Sequence, residues 1–431
     1  MTTKQILFLI TLLITLGVFG YTIRRLWRFF GLTRPHAISQ HGRRVWQMLK
    51  VAFAQTKIFR WPFSGLLHAL VFWGFLVITI GSIEMMVDGL FGLERSFAGM
   101  GVAYDIIIGS GDVFALLIIL AVLIFMMRRL TNSVRRFYGI ELKKNSRMDA
   151  HLALSLILLL MVTLIGMNMG YLLLFGEEAS GVFPVSSRLA DYFRVGTAHT
   201  QAHLLHEINW WGHILLIFVF ANILPYSKHF HVFTSVPNVY LSSIKPLGFL
   251  PNMDSVAHEV RMMMDPSTAP AGDEAPPVPT RFGVKDVEDI TWKNYLDALA
   301  CTECGRCTAV CPANITGKRL SPRKIFVDLR ARMNHKGPGI IRDGKSFDDA
   351  KALVGNYIGA EELWACTTCS ACAQECPVNI NHPALIVDMR RYLVMEKGQA
   401  PASINTMFTN MENNGAPWQY PPDDRLNWTQ L

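Results

Sequence analysis

The sequence predicts an all-α protein in two parts, a bundle of five membrane-crossing helices followed by a helical domain built around cysteines. Three observations carry this prediction. The chain of 431 residues is 51% hydrophobic and only 17% charged, too apolar for an ordinary soluble protein of this length. Five apolar runs, at about 6–23, 63–83, 112–127, 152–175 and 208–226, each approach the roughly 20 residues that a helix needs to cross a bilayer. All eight cysteines lie beyond these runs, in two copies of one pattern.

Charge follows the same division. Residues 1–250 hold 22 Lys and Arg against 11 Asp and Glu, while the whole chain is only +8, so the basic excess belongs to the apolar half. Basic groups flanking spans mark cytoplasmic loops and anionic lipid, so membrane lipid is expected as a partner and nucleic acid is not. The loop 24–60 includes Arg24, Arg25, Arg43, Arg44, Lys57 and Arg60, and the loop 128–147 includes Arg128, Arg129, Arg135 and Arg136. The alternate loops hold only Arg95 and, further on, Arg188 and Arg194. The N-terminus is therefore expected outside and everything after about residue 227 in the cytoplasm. The first run reads as a retained helix, because its charges follow the apolar stretch and "GVFGYTIRR" offers no small-x-small cleavage site.

The membrane domain is expected over 1–235, and 236–281 reads as a juxtamembrane segment and linker, with five prolines in "MMMDPSTAPAGDEAPPVPTR". A helical domain follows over 282–400. There "SPRKIFVDLRARM" and "HPALIVDMRRYLVM" show helical periodicity behind a Ser/Pro or His/Pro start. Residues 401–431 form a tail expected to bind a partner.

The cysteines decide the chemistry. "CTECGRCTAVCP" places Cys301, Cys304, Cys307 and Cys311, and "CTTCSACAQECP" places Cys366, Cys369, Cys372 and Cys376. C-x2-C-x2-C-x3-C-P is the spacing of bacterial 4Fe–4S ligation, in which the first three thiolates bind one cluster and the fourth reaches the other. The expected sets are Cys301, Cys304, Cys307 with Cys376, and Cys366, Cys369, Cys372 with Cys311. Disulfides suit a cytoplasmic domain poorly, and structural zinc explains neither the third cysteine nor the fourth before proline. The repeat extends past the ligands, since "CPANITGKRLSPRKIFVDLR" and "CPVNINHPALIVDMRR" both run from C-P-x-N-I to Asp and Arg. The 54 residues between Cys311 and Cys366 point to a helical, inserted two-cluster ferredoxin rather than a compact one.

The segment "FGVKDVEDITWKNYLDALACTECGRCTAVCPANITGKRLSPRKI" resembles the iron–sulfur part of the heterodisulfide-reductase-related proteins. These include the bacterial membrane oxidoreductases that pass electrons between electron-transfer flavoprotein and menaquinone. One-chain members continue into cysteine-rich CCG domains. No cysteine follows Cys376 here, so the resemblance implies a separate CCG-domain subunit, an electron-transfer flavoprotein, or both as partners. It also implies the bacterial cytoplasmic membrane as location.

The five-span half is similar to the cytochrome b subunit of nitrate reductase, the gamma type, in which histidines of the second and fifth spans hold two haems. Matched on "HILLIFVFANILPYSKHFH", His213 takes the outer and His231 the inner ligand position of the fifth span. His68 in the second span matches the inner partner, whereas the outer partner position is occupied by Ile78. The resemblance thus implies one haem b on His68 and His231 and leaves open a second on His213. On a straight helix the 18 residues between His213 and His231 span about 27 Å and five turns, which excludes one shared haem and puts both on one face. His229 is an alternative to His231, while His206, Met167 or Met169 offers His213 an outer partner.

"HTQAHLLHE" sets His199, His203 and His206 at a spacing that suits either a metal or, more simply, an amphipathic segment lying on the bilayer. Glu84 and Asp88 end the second span on the outer side, where Glu84 is a candidate proton carrier for a quinone.

Together these parts read as the electron-transfer subunit of a quinone-linked oxidoreductase, exchanging electrons with menaquinone or ubiquinone. Two alternatives stay open from sequence: a haem-free membrane-anchored ferredoxin, and an iron–sulfur redox sensor or assembly component. No glycine-rich phosphate loop or Ser/His/Asp arrangement suggests nucleotide or hydrolytic chemistry.

Overall fold

The computed structural model describes residues 2–139, 144–268 and 281–430. Among these, helix follows helix, with two isolated β-bridges and no strand. The first half comprises α1 (Thr3–Phe30), α2 (His41–Met48), α3 (Pro62–Phe91), α4 (Val102–Leu130), α5 (Lys144–Phe175), α6 (Ser186–Arg194) and α7 (His199–Ile223). Five of them, α1, α3, α4, α5 and α7, are long and apolar enough to cross a membrane. Between 11% and 39% of each apolar stretch is buried inside the protein, which leaves the rest to face lipid.

These helices outrun the apolar runs that announce them. α3 continues through Glu84 and Asp88, and α4 begins well before its apolar run and includes Asp112. All three carboxylates are buried and hydrogen-bonded, so a charge inside the sequence does not mark a helix end here. "HTQAHLLHE" is likewise the first part of α7, continuous with the span, rather than a separate segment on the bilayer. Close approach of α5 and α7 depends on Gly166 and Gly170, four residues apart. A Cβ at Gly170 would lie 2.8 Å from the His206 backbone, and one at Gly166 2.5 Å from Asn209 Oδ1.

The straight helix expected from His213 to His231 is broken. α7 stops at Ile223, a short 3-10 turn carries Pro225, and Ser227 is extended at φ −99°, ψ 154°. His231 then opens a new helix, α8 (His231–Tyr240). Pro225 has no N–H to continue the ladder, so the five-turn, one-face relation between the two histidines does not hold.

The second half comprises α9 (Asp254–Met264), α10 (Trp292–Ala300), α11 (Arg306–Ala309), α12 (Pro312–Ile315), α13 (Pro322–Asp343), α14 (Ala360–Trp364), α15 (Ala371–Glu375), α16 (His382–Met395) and α17 (Ala402–Asn414). Most of the proline-rich stretch, 269–280, lies outside the described residues. The internal repeat is visible in the caps. Ser321 accepts from the Lys324 N–H at the start of α13, and Asn381 accepts from the Ala384 N–H at the start of α16, each followed by proline in the first turn.

One apolar core joins the halves. Leu26, Phe29, Val51 and Leu224 from one end of the bundle pack with Tyr295, Leu329 and Met333 of the cysteine domain. The Tyr295 ring stands edge-on to Phe30 at 4.9 Å. Asn238 on α8 donates to Asp297 at 3.0 Å and to the Val378 carbonyl at 2.8 Å. The cysteine domain is therefore seated on one end of the bundle, and His68 and His231 lie at that end.

Inside the domain, Arg332 is fully buried and forks onto Asp286 at 2.9 and 2.7 Å, with Asp349 at 2.6 Å and Lys336 beside Asp286 at 3.0 Å. Burial alone would push the Asp286 carboxyl up, yet the bonds from Arg332 and Lys336 hold it below its ordinary value. Asp349 is drawn down to about 2 by its bonds from Arg332. Removing one partner strands a buried charge, so Arg332→Ala is expected to cost about 3–5 kcal/mol in denaturant unfolding of the domain. Both carboxyls are lowered on folding, so their contribution is present above pH 4 and lost as pH falls toward 2. Arg332→Ala should flatten that acid dependence.

Candidate functional site

The eight cysteines gather around two small cavities. Cys301, Cys304, Cys307 and Cys376 line one, and Cys366, Cys369, Cys372 and Cys311 line the other. Each cavity thus takes its fourth cysteine from the other motif. The loops wrap their cavities in the same unusual backbone: φ is positive at Glu303 and Gly305 in the first and at Thr368 and Ser370 in the second. Left-handed non-glycine residues are strained, and their recurrence at the same two places marks a geometry held for a purpose. At Gly305 a Cβ would meet Arg323 at 2.5 Å and the Arg136 carbonyl at 2.7 Å, so glycine is required there.

The donor set fits an iron–sulfur group. Burial pushes the Cys301 thiol up to about 11 and those of Cys372 and Cys376 up to about 12. Buried thiols such as these become thiolates only against strong positive charge, which a cluster's irons would supply. Among the described residues no group of three or more His, Cys, Asp or Glu converges as a single ion would require. The foursomes instead each line one cavity.

The Cys301 cavity abuts the bundle. Arg136, from the loop after α4, donates to the Cys304 carbonyl at 3.0 Å. Arg306, between Cys304 and Cys307, reaches the Lys57 carbonyl at 3.0 Å, just before α3. Trp61 lies between these arginines, 4.6 and 5.9 Å from their guanidinium carbons, and its Nε1 donates to Glu375 at 2.8 Å. Lys57 donates to the Ala373 carbonyl and Arg60 pairs with Glu375 at 3.2 Å. In the other cavity Cys369 is exposed.

At the same end of the bundle His68 lies close enough to both His231 and Arg306 to interact electrostatically. His68 Nδ1 is 3.3 Å from Gln55 Oε1, and His231 Nδ1 is 3.2 Å from the Lys228 carbonyl. An imidazole tied through Nδ1 leaves Nε2 free for a metal, so His68 and His231 are the residues that would hold a haem here, which would supply one-electron chemistry. Burial holds His231 below the ordinary histidine value and His229 down to about 3, which keeps both rings neutral. His229 Nδ1 is engaged by Ser227 Oγ at 3.0 Å, with Asp149 at 3.8 Å, and its ring lies 6.0 Å from that of His231.

The far end is arranged differently. His213 is buried, its Nδ1 against the Leu160 carbonyl at 2.9 Å and Thr163 at 3.1 Å on α5. Ile78 packs in the apolar cluster around Ile118 and Leu160. Met167 packs with Trp210 and Ile214, and Met169 beside Tyr104 and Tyr171. His206 stacks near Tyr171 at 6.4 Å and faces Glu207, itself paired with Lys4.

Glu84 accepts from the Phe97 N–H at 2.9 Å and the Tyr104 hydroxyl at 3.2 Å, with Arg95 at 3.9 Å. Asp88 holds the N–H groups of Arg95 and Ser96, and Asp112 those of Val185 and Ser186. Asn168 bridges Arg95 and Asp112. These bonds pin two far-end loops onto the bundle.

Asp112 and Arg95 were legible only as charges in or beside apolar runs. Of the arginines that touch the cysteine loops, Arg330 and Arg390 carried one signal, the repeated Asp-x-Arg of the two domain helices, and Arg136 carried none. His382, which lines the Cys301 cavity, carried none.

This geometry defines a class: a membrane-helix bundle carrying a dicluster ferredoxin domain. The 4Fe–4S dicluster domain family matches residues 300–380. Over 99% of its length the chain is 28% identical to a protein of Bacillus subtilis named a probable iron-sulfur-binding oxidoreductase, of which it covers 60%. It is 26% identical over 91% of its length to the EtfAB:quinone oxidoreductase of Syntrophomonas wolfei, covering 55% of that protein. A membrane-anchored ferredoxin of Chromohalobacter salexigens, named as probable, is 35% identical over 34% of this chain and 24% of its own. The resemblance to these oxidoreductases therefore holds along nearly the whole chain, which spans 55–60% of the length of the first two relatives. No solved structure matches it.

Proposed function

We propose that this chain is the electron-transfer subunit of a quinone-linked membrane oxidoreductase. In this reading Cys301, Cys304, Cys307 and Cys376 hold one 4Fe–4S cluster, and Cys366, Cys369, Cys372 and Cys311 hold the other. His68 and His231 hold haem b at the domain end of the bundle, and His213 is the remaining candidate for an outer haem. The cofactors supply one-electron chemistry, and the protein positions them and tunes their potentials.

The observation that carries this reading is the contact between the Cys301 cavity and the bundle at His68, through Arg306, Lys57 and Trp61. A ferredoxin merely tethered by its spans has no need of two histidines, His68 and His231, gathered behind that contact with each Nδ1 against an oxygen, which weighs against the haem-free alternative. The basic loops at the domain end support a cytoplasmic placement of the domain in a bacterial inner membrane, with the N-terminus outside. A soluble carrier, an electron-transfer flavoprotein or a CCG-domain subunit, exchanges electrons with the domain, and the tail 401–431, with Trp418 and Trp428 exposed, is available to it. Menaquinone or ubiquinone exchanges electrons within the bundle. Glu84 is the proposed proton carrier, acting from its place under Tyr104 and Phe97.

The test is whether the purified protein carries a Soret band that shifts on reduction together with iron and sulfide for two clusters, all oxidised by an added quinone. Clusters without a Soret band would instead identify a haem-free anchored ferredoxin.

A further inference from the structure

The two cysteine motifs are copies, and they differ where one of them meets the bundle. Shifted by 65 positions, Cys301, Cys304 and Cys307 become Cys366, Cys369 and Cys372, and Glu303 and Gly305 become Thr368 and Ser370. One arginine is repeated with its contacts. Arg330 on α13 donates to the carbonyls of Ala298 and Cys301 at 3.3 and 3.2 Å. Arg390 on α16 donates to those of Leu363, at 2.6 Å, and Cys366, the corresponding positions of the second motif.

The other charges are not repeated. At the Cys301 cavity, Arg323 lines the wall and donates to the Glu303 carbonyl at 3.3 Å, Arg136 holds the Cys304 carbonyl, and Arg306 is buried within the motif. Counted back from the shared Asp-x-Arg, Arg323 corresponds to Pro383, and Arg306 corresponds to Ala371. Arg136 comes from the bundle rather than from the repeated unit. Against these stands Glu303, paired with Arg330 and 3.6 Å from Lys228, while Glu375 next to Cys376 is matched by Arg60. The bundle-side cavity thus has four guanidinium groups around it, and the exposed cavity has Arg390.

Guanidinium stays protonated at any physiological pH. Fixed positive charge in a poorly screened site stabilises an added electron and raises the reduction potential there. Resting on the function proposed above, we propose that these arginines order the two sites. The Cys366 site, with Cys369 exposed, is the low-potential site that takes one electron at a time from the reduced flavin or dithiol of a soluble partner protein. The Cys301 site is the high-potential one and draws that electron toward the bundle, where a quinone is the final oxidant. Each transfer oxidises one site and reduces the other, with no bond made or broken.

The experiment is a potentiometric titration of the full-length, detergent-solubilised protein followed by electron paramagnetic resonance. The expected result is two separate reduction steps. Arg136→Gln should lower the upper midpoint and leave the lower one in place, and Arg390→Gln should do the reverse. Thr368→Glu, at an exposed loop, should lower the lower midpoint alone, and it carries the test if Arg136→Gln fails to fold. A single unresolved step, or a shift of the lower midpoint by Arg136→Gln, would overturn the ordering. Two ordered steps in a protein that no quinone oxidises would uphold the ordering and count against the proposed function instead.

Discussion

His68→Ala is expected to abolish the low-spin haem at the domain end while leaving the iron and sulfide of the clusters unchanged. The reason is geometric. His68 is early in α3, near enough to His231 to interact electrostatically, and each ring is held through Nδ1 at an oxygen, so that Nε2 would be the atom to hold a haem. With one ligand gone, an alanine methyl cannot close the coordination. His231→Ala should have the same effect. His229→Ala should retain the haem, since that ring is held by Ser227 and lies near Asp149 rather than His68. Pyridine haemochrome content and the reduced Soret band read the result directly. Haem retained in full by His68→Ala would refute the inner pair.

The second large effect concerns Cys311. If each motif held its own cluster, Cys311→Ser would damage the site of Cys301, Cys304 and Cys307. The cavities predict the opposite, because Cys311 lines the space shared by Cys366, Cys369 and Cys372. Cys311→Ser is therefore expected to halve the iron and to resemble Cys369→Ser in its remaining resonance signal. Cys376→Ser should resemble Cys304→Ser. The two pairs give different surviving signals, because the sites sit in different charge environments.

The sequence made the outline legible because two kinds of pattern are nearly unambiguous. Long apolar runs have few fates other than a bilayer, and a repeated C-x2-C-x2-C-x3-C-P constrains ligand geometry even across a long insertion. Both the five helices and the exchanged fourth cysteines follow from them. Helix ends were harder, since Glu84, Asp88 and Asp112 look like termini until their partners are seen. Those partners are loop N–H groups outside the helix, 13 residues on at Phe97 for Glu84 and 73 on at Val185 for Asp112.

The break at Pro225 shows a different limit. Proline was visible in "ANILPYSKHFH", but whether it kinks a helix or ends it depends on what the following residues can pack against. Here Phe230 and Val239 join the core shared with the cysteine domain, which draws the chain out of the span and into α8. Charges brought in by docking, above all Arg136, leave no local signal, because their target carbonyl belongs to a residue 168 positions away.

In the proposed function, electrons cross from the cysteine domain to a quinone by way of a haem held by His68 and His231. The most direct measurement mixes the chemically reduced protein rapidly with a water-soluble menaquinone analogue and follows the haem optically and the clusters by freeze-quench resonance. Haem and clusters are both expected to be oxidised in the wild-type protein, and His68→Ala is expected to slow cluster oxidation at least about tenfold, equivalent to about 1.4 kcal/mol in barrier. Cluster oxidation at an unchanged rate in His68→Ala would contradict this route.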